Sequence, residues 1–398
     1  MRVFFVGDVH NTSGNDENIN LTLRFASETH GYKNADRMKL FVDGILEEHK
    51  KEPIDALFVL GDLANTDKPF QHYYRKYKNE ISGTESDAWN GDVLHYLKDT
   101  FYKCDHDAVY DFKMNTLDRI EAAGIPYYVV PGNHDAYTEE MWRDLFKEKR
   151  SEEGRLLSPS HIGENGESDY IVTFPEYDTA FILLNTFAFD ERNGDLGPRY
   201  RYYMAHDNVA YTPIASDAAR AARLCELVEK AKGYKHLYLG AHYFAGTNVI
   251  SGEFENDTPY LLKEANRYGN LRGILFGHDQ YLFDRYLDTS DGRKIFHSCV
   301  NHFIGTFMSG SVTENGKEET VHCSIAACPF GYSELRHEGE TASLCRIFPE
   351  AFYEPHEELA AFFKKCHPEW TGKYFITPFE KPYHQPYATS EPYTVKLK

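Results

Sequence analysis

Val3-Phe4-Phe5-Val6-Gly7-Asp8-Val9-His10 is a run of four apolar residues, a glycine, and then two side chains able to bind metal. Similar apolar runs recur down the chain: Ala56 to Leu60, Tyr127 to Val130, Phe181 to Leu184, Leu237 to Leu239 and Gly273 to Phe276. Runs of this length that stop at glycine, proline or a polar cluster read as strands. Between the first two runs, Met38, Phe41, Val42, Ile45 and Leu46 recur at helical spacing and predict an amphipathic helix. A second helix is predicted over about Asp217 to Lys232, with Ser216 placed to cap its start and Gly233 to end it. Strands alternating with helices give an α/β class, with helices covering central strands. After Phe276 the pattern turns β-rich, through Phe283–Leu287, Lys294–Val300 and Leu344–Phe348.

Composition narrows the function classes. The chain has 398 residues, 41% hydrophobic and 26% charged, enough for a well-buried core in an ordinary globular protein. No apolar run reaches the roughly 18 residues a membrane helix needs, so no membrane partner is expected. The first residues turn polar too soon for a signal peptide, and the expected location is cytoplasmic. Seven scattered cysteines, an odd number, suit reduced thiols rather than a disulfide framework. His322, Cys323 and Cys328 match no familiar zinc spacing and read better as part of a strand. A net charge of −19 repels phosphate backbones, which disfavours long nucleic acid as a partner, and reads first as a solubility feature. Two polar stretches, 66–122 and 187–216, read as insertions of the kind that form lids or substrate walls. The segment 351–398, rich in proline and tyrosine, has no period and reads as a surface-wrapping tail after a domain over 1–350.

The residues that follow the apolar runs carry the chemistry. They are Gly7-Asp8-Val9-His10, Gly61-Asp62-Leu63-Ala64-Asn65, Pro131-Gly132-Asn133-His134-Asp135, Gly240-Ala241-His242 and Gly277-His278-Asp279-Gln280. Each sits at the C-terminal end of a candidate strand, the edge where open α/β sheets bind ligands. Carboxylate, amide and imidazole donors suit Mn, Fe, Zn, Mg or Ni. No thiolate takes part, so this is not a structural cysteine-zinc site. Asp8 and His10, two apart on one strand end, point to the same face and can share a metal.

The ordered set Asp-x-His, Gly-Asp-x-x-Asn, Gly-Asn-His-Asp, His and Gly-His resembles the signature of the calcineurin-like metallophosphoesterases. The motifs span residues 7–280. The resemblance implies a metallophosphoesterase-type β-sandwich flanked by helices. It also implies a dinuclear centre that hydrolyses a phosphate ester, monoester or diester, by a metal-activated hydroxide. Carried over by position, Asp8 and His10 would bind the first metal, Asp62 would bridge both, and Asn133, His242 and His278 would bind the second. His134 would act at the substrate phosphate, hydrogen-bonded to Asp135. The family pattern ends in Gly-His-x-His, and this chain has Gln280 in the last position. Either the Gln280 amide oxygen ligates, which shifts preference towards Mn or Mg, or water or Asp279 fills the gap. Two divalent ions are therefore expected, Mn first, with Fe, Zn, Ni or Mg as alternatives. The second reading is a degenerate binding module on the same fold, its first metal site impaired by Gln280.

Taken singly, these aspartates and histidines would read as turn or surface residues; only the set, each member at a strand end, points to a metal centre. His302, the basic aromatic stretch Gln71–Lys78, and Arg199 and Arg201 gain no such support and read as structural or solvated.

Overall fold

The computed structural model describes residues 1–9, 11, 34–63, 106–132, 135, 139–186, 214–215, 217–244, 258–278, 283–300, 307–314, 317–324, 331–347 and 393–396. The first strands are β1 Arg2–Val6, β2 Ala56–Leu60, β3 Tyr127–Val130, β4 Lys149–Arg150, β5 Leu156–Ser158 and β6 Tyr170–Phe174. There follow β7 Thr179–Leu184, β8 His236–Ala241, β9 Leu271–Phe276, β10 Phe283–Asp288 and β11 Lys294–Cys299. The last are β12 Phe307–Glu314, β13 Lys317–Ser324, β14 Tyr332–Glu338, β15 Thr341–Ile347 and β16 Tyr393–Lys396. The helices are α1 Asn34–Lys51, α2 Asp118–Ala122, α3 Glu139–Phe146, α4 Ala218–Ala231 and α5 Thr258–Ala265. A π-helical turn, Lys113–Leu117, leads into α2.

Two six-stranded sheets form the frame, ordered β16-β15-β14-β1-β2-β3 and β10-β11-β9-β8-β7-β6. β1, β2 and β3 are parallel, as are β7, β8, β9 and β11. β4–β5 and β12–β13 are separate two-stranded antiparallel pairs.

The strands alternate between two buried environments, which is why they read as unbroken apolar runs. In the second sheet Phe181, Leu183, Tyr238, Leu275 and Phe296 pack into the core shared with the first sheet. Their neighbours Ile182, Leu184, Leu237, Leu239 and Ile274 pack with Leu224, Leu227 and Val228 of α4 and Leu261 of α5. In the first sheet, Phe4 and Tyr332 stack at 4.9 Å and Phe41 of α1 meets Tyr332 edge-on at 6.2 Å. Phe5 and Phe58 point the other way, and Phe58 lies 4.8 Å from Phe181 across the sandwich. Truncating a buried phenylalanine of this kind costs about 3–5 kcal/mol. The architecture is thus α/β, two sheets face to face with helices outside.

α1 is the helix predicted between the first two strands, and Met38, Phe41, Val42 and Ile45 are buried. The α4 cap differs from the expectation. Asp217 caps the helix, its carboxylate accepting from the N–H groups of Ala219 and Arg220, while Ser216 lies outside the described residues. Aspartate caps as well as serine and also complements the helix dipole. In the 66–122 stretch, residues 106–122 are helical. In the 187–216 stretch only 214–215 are described. In the 351–398 stretch, which has no period in sequence, Tyr393–Lys396 pairs antiparallel with β15 and forms the outer strand of the first sheet. No helix among the described residues is long and apolar enough to cross a membrane.

Candidate metal centre

The parallel strands of both sheets end at one edge. Asp8 follows β1, Asp62 follows β2, His242 follows β8 and His278 follows β9. Ligand atoms of Asp62, His242 and His278 lie within 4.8 Å of one another. Asp8 joins them: its Oδ2 accepts the His278 N–H at 2.9 Å. Two sheets therefore each bring two of these side chains to one place.

Backbone shape does the delivering. Asp8, Asp62 and His278 have φ of 51°, 53° and 68°, in the left-handed region. Non-glycine residues there cost roughly 1–3 kcal/mol each and persist where surroundings fix them. The sharp bend turns each side chain from its strand towards the other sheet. Glycines make room. A Cβ on Gly61, itself at φ +82°, would lie 2.6 Å from the His242 ring. One on Gly132 would lie 2.2 Å from Asp62 N and Oδ1. Only glycine lets the three chain segments close on the centre.

His242 is held at both ring nitrogens. Nδ1 lies 2.7 Å from the Leu60 carbonyl, which can only accept, so Nδ1 carries the hydrogen. Nε2 faces Asp62 Oδ2 at 3.2 Å. A backbone carbonyl behind an imidazole is the usual way a metal-binding tautomer is fixed. Burial disfavours the charged ring, yet the Asp62 and Asp8 carboxylates and the Leu60 carbonyl outweigh it and hold His242 up to about 9. The two carboxylates thus favour a positive charge on the imidazole they face. The His278 ring meets the His242 ring edge-on at 5.2 Å and the Tyr243 ring at 4.5 Å. Tyr243, buried and directly after His242, is a contributor that sequence reading passed over; an aromatic residue next to a candidate ligand was the available signal.

The donor set fits divalent ions. Two carboxylates and two imidazoles, three of the four donors fully or almost fully buried, suit hard to borderline cations. Among the other expected site residues, Asp135 is buried and its Oδ2 accepts the Gly132 N–H at 2.6 Å, tying down the turn after β3. His10, Asn133, His134 and Gln280 lie outside the described residues.

A second group of potential ligands, Asp118, Glu121 and His161, lies at the opposite end of β3. Its Asp118 carboxylate is already engaged within the protein. Lys113 Nζ reaches the two Asp118 oxygens at 2.7 and 2.9 Å, and the Tyr127 hydroxyl donates to Asp118 at 3.0 Å. His161 Nδ1 lies 3.1 Å from the Tyr127 carbonyl and so carries its hydrogen, which bars this nitrogen, the one that faces Glu121 at 3.7 Å, from ligation. Burial pushes His161 down to about 4 and Glu121 up to about 6.

No curated protein matches the chain. A crystal structure of a dimetal phosphatase from Danio rerio, LOC 393393, aligns at 10% identity with a TM-score of 0.47, covering 86% of this chain and 95% of that one. The profile described as calcineurin-like phosphoesterase matches residues 1–282, and on that match the chain belongs to the calcineurin-like phosphoesterase family.

Proposed function

We propose that the protein hydrolyses small phosphate esters, monoesters or diesters, at a dinuclear divalent centre, with manganese the first candidate metal. The observation that carries this reading is the meeting of Asp8, Asp62, His242 and His278 from two sheets at one edge. In this reading Asp8 and His10 would hold one ion, Asp62 would be shared by both, and Asn133, His242 and His278 would hold the other, with the Gln280 amide oxygen as a further donor to the first. When bound, the ions supply charge stabilisation at phosphorus and acidify the attacking water. The chain's own groups do the rest. The Leu60 carbonyl keeps a hydrogen on His242 Nδ1 and so turns Nε2 towards Asp62 and the edge. His134 would hand a proton to the ester oxygen as the P–O bond breaks, or stabilise the charge that builds there, a role typically worth about 10²–10⁴-fold. The Asp8 carboxylate, by accepting the backbone N–H of His278, locks the strand end from which His278 would reach the second ion.

The test is hydrolysis of p-nitrophenyl phosphate and bis-p-nitrophenyl phosphate by the metal-stripped chain reloaded with Mn, Zn, Ni or Mg, beside Asp62→Ala. Metal-dependent turnover absent from Asp62→Ala is expected, and the ratio of the two rates separates monoesterase from diesterase. No turnover with any metal, together with one ion or none per chain, would favour the alternative of a degenerate binding module, which Gln280 alone suggests.

A further inference from the structure

The amide between Gly277 and His278 is pinned at both ends. Its N–H goes to Asp8 Oδ2 at 2.9 Å. Its carbonyl receives the thiol of Cys299, with Sγ at 3.3 Å from the oxygen. This is the peptide that launches His278 at φ 68°. If it rotated, both hydrogen bonds would break and the His278 side chain would swing off the edge.

Cys299 is itself fixed. It lies fully buried at the end of β11, in register beside Phe276, and the next residue, Val300, donates its N–H to the Phe276 carbonyl at 2.7 Å. From the other sheet, Arg346 of β15 donates through Nη2 to the Cys299 carbonyl at 2.6 Å and to Ser298 Oγ at 3.3 Å. Arg346 Nη1 also reaches Ser333 Oγ of β14 at 3.4 Å. Arg346 is almost fully buried, so these contacts are made away from competing water.

We propose that Cys299 is a positioning residue for the metal edge, its thiol orienting the Gly277–His278 amide, with Arg346 bracing Cys299 from the opposite sheet. The proposal rests on the reading of Asp8 and His278 as metal ligands. A thiol is a weak donor, so its bond contributes little to global stability. Its effect is on placement: partners one step behind a ligand typically change metal affinity by about 10–100-fold, and a thiol belongs at the lower end.

The experiment compares wild type, Cys299→Ala and Cys299→Ser. Affinity for Mn and Zn is measured by chelator competition on metal-stripped protein, and thermal unfolding is followed on the metal-free chains. Cys299→Ala is expected to weaken metal binding about tenfold, with little change in unfolding temperature. Cys299→Ser, which keeps a donor, is expected to restore most of that affinity even if it unfolds no later than the alanine variant. Equal affinities in all three chains would overturn the proposal. So would serine and alanine variants that lose affinity alike, in step with their stability, since that is what a packing role predicts. Metal binding by a wild type that hydrolyses no phosphate ester would refute the proposed activity but leave this comparison decisive. A wild type that binds no metal would overturn both.

Discussion

The two ends of the sandwich treat histidine in opposite ways. At the metal edge, His242 is buried against two carboxylates and is held up to about 9. At the far end, burial and Arg272 push His236 down to about 4, and burial, His236, the N-terminal amine and Arg272 push His337 down to about 3. There the Tyr238 hydroxyl lies 2.6 Å from His337 Nε2, and Thr179 Oγ1 lies 3.4 Å from Nδ1, so a neutral ring is satisfied on both sides. Burial is common to both ends. The sign of the neighbouring charge decides the outcome. One end is prepared to receive a cation, and the other is kept neutral to close the two sheets on each other.

The largest way to break this contrast is Asp62→Ala. It should abolish metal binding and hydrolysis together. It should also let burial dominate at His242, dropping its titration well below 9, which histidine NMR on metal-free protein would read. A metal-loaded, active variant would remove Asp62 from the bridging role. His134→Ala should keep the metals and lose roughly 10²–10⁴-fold in rate, more for poor leaving groups. Unchanged turnover would take His134 out of the mechanism.

The far end is tested by pH. His337 is neutral in the fold, while the unfolded chain takes up its proton below the ordinary value of 6.5. Stability should therefore fall as pH drops from 6.5 towards 3, with each such histidine adding to the slope. His337→Gln should flatten the dependence of unfolding temperature on pH in that window, and an unaltered slope would show that the ring titrates normally. His242 has the reverse sign. In the metal-free chain its ion pair with Asp62 stabilises fully below 6.5 and is lost as pH rises through 9. The smallest effect is expected from Gln280→His, a modest tightening of the first metal site; no change in chelator competition would argue that Gln280 does not ligate.

Much of this was legible in sequence, for a physical reason. Strands buried on both faces leave continuous apolar runs, and ligands that must follow a tight bend leave a glycine before them, as Gly7, Gly61 and Gly277 do. β14 leaves no apolar run, because Tyr332–Glu338 carries the buried polar residues Ser333 and Glu334. Their partners come from distant positions: Arg346 for Ser333, and Arg2 and Cys345 for Glu334. β16 was hidden because a four-residue strand is too short to show a period. The Leu60 carbonyl behind His242 and the Cys299 thiol behind Gly277 leave no pattern, since one is backbone and the other an isolated residue.

The order of strands along the chain also constrains how the molecule assembles. All strands of the second sheet lie between residues 170 and 299, whereas the first sheet joins β1 to β14 and ends with β16 near residue 396. The second sheet can pair while the first still waits for β14 and β16. Pairings so far apart in sequence form slowly, because loop closure comes before its reward. Pulsed hydrogen exchange during refolding should show β7–β9 protected before β1, and simultaneous protection would contradict this order. Since Asp8 and Asp62 stand on the late sheet and His242 and His278 on the early one, the nascent chain should acquire its ions only at the end of folding.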